Sequence, residues 1–129
     1  MPGPARAGLF VYAVDSDRIA SFYEAVVGMG RLHEDADLIV LASPDFQLLV
    51  HATPPHVAAR IAITSPPRKR EDTALKFFFT VPSLAAARAT AARLGGEVFS
   101  ESWRGPGFVV CNAMDPEGNV FQVRESADR

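Results

Sequence analysis

The sequence predicts an α+β fold made of two βαβββ repeats. A strand-then-helix segment occurs twice, at residues 8–28 and 76–96, with Asp15 and Ser83, and again Gly28 and Gly96, 68 residues apart. A tail of matching grammar follows each segment, DLIVLASPDFQLLVHA at 37–52 and FVVCNAMDPEGNVFQVRE at 108–125, in which a Pro-Asp or Asp-Pro turn separates two strands. Between the copies lies a stretch rich in proline and charge, which reads as a linker. An internal repeat of this kind sets the architecture before any single element is considered.

In the first copy, residues 8–14 (GLFVYAV) are apolar, β-branched and aromatic, the composition of a buried strand. Asp15 follows as a helix N-cap, and Asp17 stands in the first turn, where negative charge suits the helix dipole. Ile19, Phe22, Tyr23 and Val26 fall at i, i+3, i+4 and i+7, one face of an amphipathic helix, and Gly28 stands where a left-handed residue would stop it. In the second copy the strand is Lys76 to Val81, the N-cap is Ser83, the helix face is Leu84, Ala87, Ala91 and Leu94, and Gly95–Gly96 closes the segment. The constant offset sets Phe10 on Phe78 and Tyr12 on Thr80 without a gap. In the second tail Pro116 is preset for a turn, and Gly118 or Asn119 can supply the positive φ.

The chain is thus expected to be a single domain, 1–129, with a first module at 8–52, a linker at 53–74 and a second module at 75–125. Within the linker, Arg60–Thr64 alternates weakly and could form one more short strand. Pro66–Thr73 reads as an exposed loop whose Arg68-Lys69-Arg70 run is cancelled by Glu71-Asp72.

Composition narrows the classes further. The 129 residues suit one domain, and the 48% hydrophobic and 22% charged content is ordinary for a globular protein. A formal net charge of −2 offers no basic excess for a nucleic acid. The one cysteine, Cys111, excludes an internal disulfide and a cysteine-cluster zinc site, and fits a reducing compartment. The opening MPGPARAGLF has no apolar stretch of signal-peptide length, and no window approaches a membrane span. The expected location is cytoplasmic, with no nucleic-acid or membrane partner.

Strand alternation sorts the sheet residues into two faces. Leu9, Val11, Ala13, Leu48, Val50, Phe77, Phe79, Val81, Phe121 and Val123 are uniformly apolar and should pack under the helices. The opposite face carries Phe10, Tyr12, Gln47, Leu49, His51, Lys76, Phe78, Thr80, Gln122 and Arg124. Aromatic walls with scattered polar tips are typical of small-molecule pockets, and also describe a half-solvated sheet surface. Lys76 and Arg124 would favour an anionic or carbonyl-rich ligand, or else point to water or pair with Glu125 or Glu101. His51 is the candidate general acid or base, and the Pro54-Pro55 break is expected to keep it on an extended turn, away from chelation with His56. His33, in HEDAD, reads as a surface residue. Trp103, with Gly105-Pro106-Gly107, reads as a loop aromatic that could close over a ligand or be buried at a dimer contact. Cys111 reads as an inert buried hydrophobe. No glycine-rich phosphate loop and no distinctive nucleophile–base arrangement is present.

Three stretches, VDSDRIASFYEAVVGMG (14–30), FFFTVPSLAAARATAARLGG (77–96) and MDPEGNVFQVRE (114–125), resemble the vicinal oxygen chelate superfamily, which groups glyoxalase I, bleomycin-resistance proteins and extradiol dioxygenases. The resemblance covers about residues 8–125. It implies two βαβββ modules whose sheets curl into an open cup that holds the ligand, and pairing of two chains as a homodimer. It makes Phe10, Tyr12, Leu49, Lys76, Phe78, Trp103, Gln122 and Arg124 the ligand-binding residues. In metal-dependent relatives four side chains enter the cup, and by register those positions are here Gly8, Leu49, Lys76 and Gln122. A divalent metal wants imidazole or anionic oxygen donors, and only Gln122 could coordinate, so no metal or other cofactor is expected. The resemblance therefore implies a metal-free binder of a small organic molecule. A lyase, isomerase or dioxygenase acting on a carbonyl or aromatic substrate, metal-dependent or using His51, is the alternative, and an accessory domain without chemistry is a third class.

Overall fold

Asp15 turns the chain from the first strand, β1 (Ala7–Ala13), into the first helix, α1 (Ser16–Val27). Its backbone is extended and its carboxylate accepts the Arg18 N–H at 3.1 Å, satisfying a donor that the first helical turn leaves free. The computed structural model describes residues 5–127, so the opening MPGP, part of the stretch read as free of an export signal, lies outside the described residues. Ile19, Ala20, Phe22, Tyr23 and Val26 are buried, which is the face their spacing predicts. Gly28 ends α1 in the left-handed conformation at φ 76°, and its N–H donates to the Glu24 carbonyl.

The chain divides into two compact units, Met1–Ala62 and Ile63–Arg129. In the first, β2 (Gly30–Glu34), β3 (Leu38–Ser43) and β4 (Phe46–Ala52) complete a sheet of order β1-β4-β3-β2, in which β1 runs parallel to β4 and the other pairs are antiparallel. Ile39, Leu41, Leu48 and Val50 are buried, and α1 packs on this side of the sheet.

Beyond β4 the structure corrects two expectations. Pro55 opens a short helix, α2 (Pro55–Ala58), instead of an extended turn, because its ring supplies the φ of a first helical residue. The Arg60 and Ile61 N–H groups then donate to the Val57 and Ala58 carbonyls at 3.0 Å each, so this backbone is spent on closing the turn and the strand expected at 60–64 does not form.

In the second unit, β5 (Phe78–Thr80), α3 (Leu84–Arg93), β6 (Glu97–Gly105), β7 (Phe108–Met114) and β8 (Val120–Ser126) repeat the pattern, with sheet order β5-β8-β7-β6 and β5 parallel to β8. Strand β5 is shorter than the expected Lys76–Val81. Its ladder to β8 ends with the Gln122 N–H donating to the Phe77 carbonyl and the Val81 N–H donating to the Arg124 carbonyl, leaving Lys76 outside the strand. Ser83 caps α3 by accepting the Ala86 N–H at 3.0 Å, as Asp15 does for α1. The gapless correspondence then breaks at the helix end. Helix α3 has 10 residues against 12 in α1, and the left-handed glycine is Gly95, at φ 92°, not Gly96. With two glycines in a row the chain turns at the first, and the Gly96 N–H closes onto the Ala91 carbonyl at 2.9 Å.

The sheet registers preserve the repeat where it matters for the outer faces. Phe10 pairs with Leu49 and Tyr12 with His51, as Phe78 pairs with Gln122 and Thr80 with Arg124. Leu49 and Gln122 are therefore equivalent, although Pro44-Asp45 joins β3 to β4 while the longer Asp115–Asn119 turn joins β7 to β8. That longer turn is built by Asp115, fully buried, whose carboxylate accepts the backbone N–H groups of Glu117 and Asn119 and the Asn119 side-chain amide. It anchors the segment read as a loose loop: Pro67 is buried, and the Arg70 N–H donates to the Gly118 carbonyl at 2.8 Å beside a parallel bridge between Arg70 and Asn119.

Candidate ligand-binding face

The alternation that buries Val11, Leu48, Val50, Val81, Phe121 and Val123 leaves the opposite face of each sheet open. On the first unit this face is aromatic and uncharged. Phe10 and Tyr12 are 56% and 59% exposed and stack at 6.3 Å between ring centroids, and Tyr12 lies 5.5 Å from the His51 ring. Leu49 is the register partner of Phe10. His51 Nδ1 is 2.8 Å from the Ala52 carbonyl oxygen. A carbonyl only accepts, so Nδ1 carries the proton there and Nε2 of the neutral ring is left with a lone pair.

On the second unit the face is cationic. The Arg124 guanidinium lies 3.8 Å from the Phe78 ring centroid and 4.2 Å from that of Phe108, a cation held between two aromatic faces. With two rings against it, the guanidinium meets a ligand most readily through its N–H edge. Its Nε is buried and has no hydrogen-bond partner among the described residues. Such a donor costs about 1–3 kcal/mol while unmet. Gln122 pairs with Phe78 on one side and Asn112 on the other, and Lys76 Nζ donates to Asn112 Oδ1 at 3.4 Å. Glu125, considered as a partner for the two cations, instead accepts the Leu84 N–H at the start of α3 at 2.7 Å.

Trp103 stands elsewhere than expected. It lies within β6, not in a loop, paired with Val110, which in turn pairs with Arg124. The Gly105-Pro106-Gly107 turn comes after it, with Gly107 at φ 76° making a tight hairpin that lets β6 run to Gly105. The indole is 45% exposed on the side of the sheet that carries Arg124.

A cavity of about 340 Å³ opens against the same sheet, lined by Lys69, Arg70, Glu71, Lys76, Phe99 and Asn112 among others. Phe108, Asn112, Phe99, Lys69 and Arg70 were not singled out from the sequence. The strand residues were within reach: Phe108 and Asn112 alternate in step with Arg124 and Gln122. Lys69 and Arg70 carried no signal, because their run looked self-cancelling and only the docking of Arg70 on the Asp115–Asn119 turn brings it to the sheet.

Of the remaining candidates, His33 stands at the far edge of the first unit's open face, in one cross-strand row with Phe10, Leu49 and Val40, and the others lie apart from these faces. His33 Nε2 is 2.8 Å from Asp35 Oδ2 at an exposed site, and this contact, with the Asp37 and Leu38 N–H groups, holds the Asp35 carboxyl below its ordinary value. His56 is exposed on α2. Cys111 is buried, and the fold brings it a basic neighbour absent from its sequence surroundings, Arg88, whose Nη2 lies 3.4 Å from Sγ. Among the described residues no three His, Cys, Asp or Glu side chains are grouped to hold a metal ion. At the positions the resemblance assigns to metal ligands, Gly8 has no side chain, Leu49 no donor, and Lys76 a cation directed at Asn112. This donor set does not suit a divalent metal. No helix among the described residues is long and apolar enough to cross a membrane.

The model of the glyoxalase-like domain matches residues 8–124. Solved structures share the fold. A glyoxalase/bleomycin resistance protein/dioxygenase family enzyme from Burkholderia phytofirmans PsJN matches at TM-score 0.67 and 17% identity, covering 95% of this chain and 99% of that one. Lactoylglutathione lyase from Agrobacterium tumefaciens matches at TM-score 0.59 and 22% identity, covering 97% and 96%. A bleomycin resistance determinant encoded on the transposon Tn5 matches at TM-score 0.57 and 20% identity, covering 97% and 100%. No curated protein is similar in sequence at a significant level.

Proposed function

Because the chain belongs to the glyoxalase-like family of the vicinal oxygen chelate superfamily, we propose that it binds a small organic molecule on the outer faces of its sheets, without a metal. The observation that carries this reading is the Arg124 guanidinium, clamped between Phe78 and Phe108 with a buried, unmet Nε–H. A ligand with a carbonyl or carboxylate oxygen would meet the guanidinium through its N–H edge and reach the buried Nε only by displacing a neighbouring group, while Phe78, Gln122 and Trp103 supply ring surface and a polar tip around it. In the first unit Phe10, Tyr12 and Leu49 offer a further apolar surface. Two chains are proposed to pair, and the lone cysteine suits a reducing, cytoplasmic setting.

The test is a thermal-shift screen of drugs and small metabolites, followed by substitution. A ligand at about 100 times its Kd adds about 2.7 kcal/mol to the folded state, well within reach of the method. Gln122→Ala and Arg124→Ala should each weaken a ligand of the second unit's face and Tyr12→Ala one of the first unit's, and His33→Ala should weaken neither. Equal, negligible effects at all four sinks the assignment of these faces. Protein purified without chelator and then challenged with Ni, Zn, Mn and Fe(II) should retain less than about a tenth of an equivalent, since one weak donor holds no metal. Near one equivalent would overturn the metal-free reading.

A second reading is favoured by His51, whose Nδ1–H is engaged by the Ala52 carbonyl so that Nε2 is free to take a proton beside Tyr12. A carbonyl compound found to bind would then be turned over, and His51→Gln would lower the rate by about 10²-fold or more. Turnover indifferent to His51→Gln would discard this reading.

A further inference from the structure

We infer that the cavity in the second unit, walled by the strap Pro66–Lys76, receives the carboxylate end of a small aromatic anion. This rests on the reading of the outer face as a ligand site and adds the chemical class of the ligand.

The argument starts from charge. The chain as a whole carries −2, yet the cavity lining holds three cations, Lys69, Arg70 and Lys76, against one acid, Glu71. Glu71 is already engaged, 3.2 Å from Lys69, and the same Lys69 ammonium lies 4.7 Å from the centre of the Phe99 ring. Those two groups satisfy each other. Arg70 and Lys76 are left as a local positive excess, and the one side-chain bond Lys76 makes, to Asn112 Oδ1, is 3.4 Å long. Charge-assisted bonds close to about 2.7–2.9 Å, so a carboxylate would be a far better partner than the amide.

The wall that carries this charge is preformed. Arg70 is pinned to the Asp115–Asn119 turn by its own N–H and by its bridge to Asn119. Gly118, at φ 87°, is packed so tightly beneath the strap that a Cβ there would run into the Arg68 carbonyl oxygen. The cost of ordering the strap is therefore already met before a ligand arrives. The rest of the lining sets Phe99, Val120, Ala74 and Leu75 beside the uncharged polar groups of Thr73 and Asn112, and at about 340 Å³ the space stands at the small end of organic-ligand sites. Two unneutralised cations in the lining of a small, part-apolar cavity favour an anionic group on a flat body. A fully hydrated ion such as phosphate has no use for the ring and aliphatic surface.

The experiment is a titration of the full chain with benzoate, its uncharged isostere benzamide, and inorganic phosphate, followed by backbone amide NMR and by the fluorescence of Trp103. Benzoate should shift the amides of residues 69–76, 112 and 118–120, and bind at least about tenfold more tightly than benzamide, the size of one charge-assisted contact. Arg70→Gln and Lys76→Gln should each lower benzoate affinity about five- to tenfold while leaving benzamide unchanged. Benzamide binding there as well as benzoate would overturn the anion assignment and leave the outer-face reading standing. Phosphate binding as tightly as benzoate would overturn the aromatic part. Benzoate shifting only residues near Phe78, Gln122 and Arg124 would overturn the cavity. If no probe moves either the cavity or that face, the inference falls together with the reading on which it rests.

Discussion

In the first unit, the strand positions that turn toward the helix are Leu9, Val11 and Leu48, and the helix brings Ile19, Phe22 and Tyr23; in the second, the matching strand positions are Phe77, Phe79 and Phe121, and the helix brings Ala87, Thr90 and Ala91. The bulk has changed sides. Phe77 and Phe121 stack at 5.6 Å, with Phe79 meeting both edge-on at 5.7 and 6.3 Å, so three rings fill what an aromatic helix fills in the other copy. A core at crystal-like density tolerates such an exchange only if total volume is kept across the layer. The outer faces have diverged in a second way, from Phe10, Tyr12 and His51 to the cation Arg124, while the register that sets His51 against Tyr12 and Arg124 against Thr80 stayed the same, and Lys76 adds its charge from outside β5. A duplicated frame can thus hold its geometry while packing and surface chemistry vary independently.

The largest effects should come from upsetting that exchange. Phe121→Ala removes the ring shared by the cluster and should cost about 3–5 kcal/mol in urea unfolding. Ala91→Leu, which returns bulk to α3 without removing it from the strands, should cost about 1–3 kcal/mol by overpacking. If Ala91→Leu instead stabilises, the second core has room to spare and the compensation argument fails.

This exchange also shows how far the sequence could be read. The frame was legible because its signals are local: Asp15 and Ser83 as caps, Gly28 as a stop, and the alternation that buries Leu48, Val50, Phe121 and Val123. The outer-face residues followed from the same alternation, and Leu49 and Gln122 were rightly matched despite unequal turns. The misses were at places where nonlocal pairing or glycine freedom decides. Lys76 fell outside its strand because the ladder to β8 begins only at the Phe77 carbonyl, and the second helix stopped at Gly95 because either glycine would serve. Arg60–Thr64 alternates, yet its backbone closes the turn after α2. The strap's role could not be read because the charges of Lys69–Asp72 cancel in sequence and separate only when Arg70 docks on the Asp115–Asn119 turn.

The two turns give the next contrast. Gly118→Ala meets both a positive φ and the Arg68 carbonyl, and should cost about 1–3 kcal/mol. Asp45→Ala, in the short exposed turn of the first unit, should change stability by less than about 0.5 kcal/mol. Similar losses at both sites would mean that the strap does not bear on the second turn.

A smaller difference is expected at the helix caps. Asp15→Ala leaves the start of α1 without its side-chain acceptor and should cost about 1 kcal/mol. Ser83→Ala should cost less, because Glu125 reaches across from β8 and still accepts the Leu84 N–H at 2.7 Å. Hydrogen exchange resolves the two helix ends. Equal loosening of α1 and α3 in the two variants would show that Glu125 adds nothing, and Ser83→Ala in a Glu125→Ala background should show the full loss.

The smallest effect separates the exposed charge clusters of the first unit from the packed ones of the second. Asp35 is held below its ordinary value by His33, then by the Asp37 and Leu38 N–H groups. A carboxyl depressed in the folded state contributes stability above its unfolded value and loses it as pH falls through the folded one. The gap between wild type and Asp35→Asn should therefore be present near neutral pH and close only on the acid side of the normal carboxylate range. Because both partners are more than half exposed, at 52% and 54%, water screens the pair and the gap should be slight. Urea midpoints for the two proteins that run parallel from acid to neutral pH would show that the His33–Asp35 contact carries no linkage and is surface decoration on a frame set by Phe22, Tyr23 and Leu48.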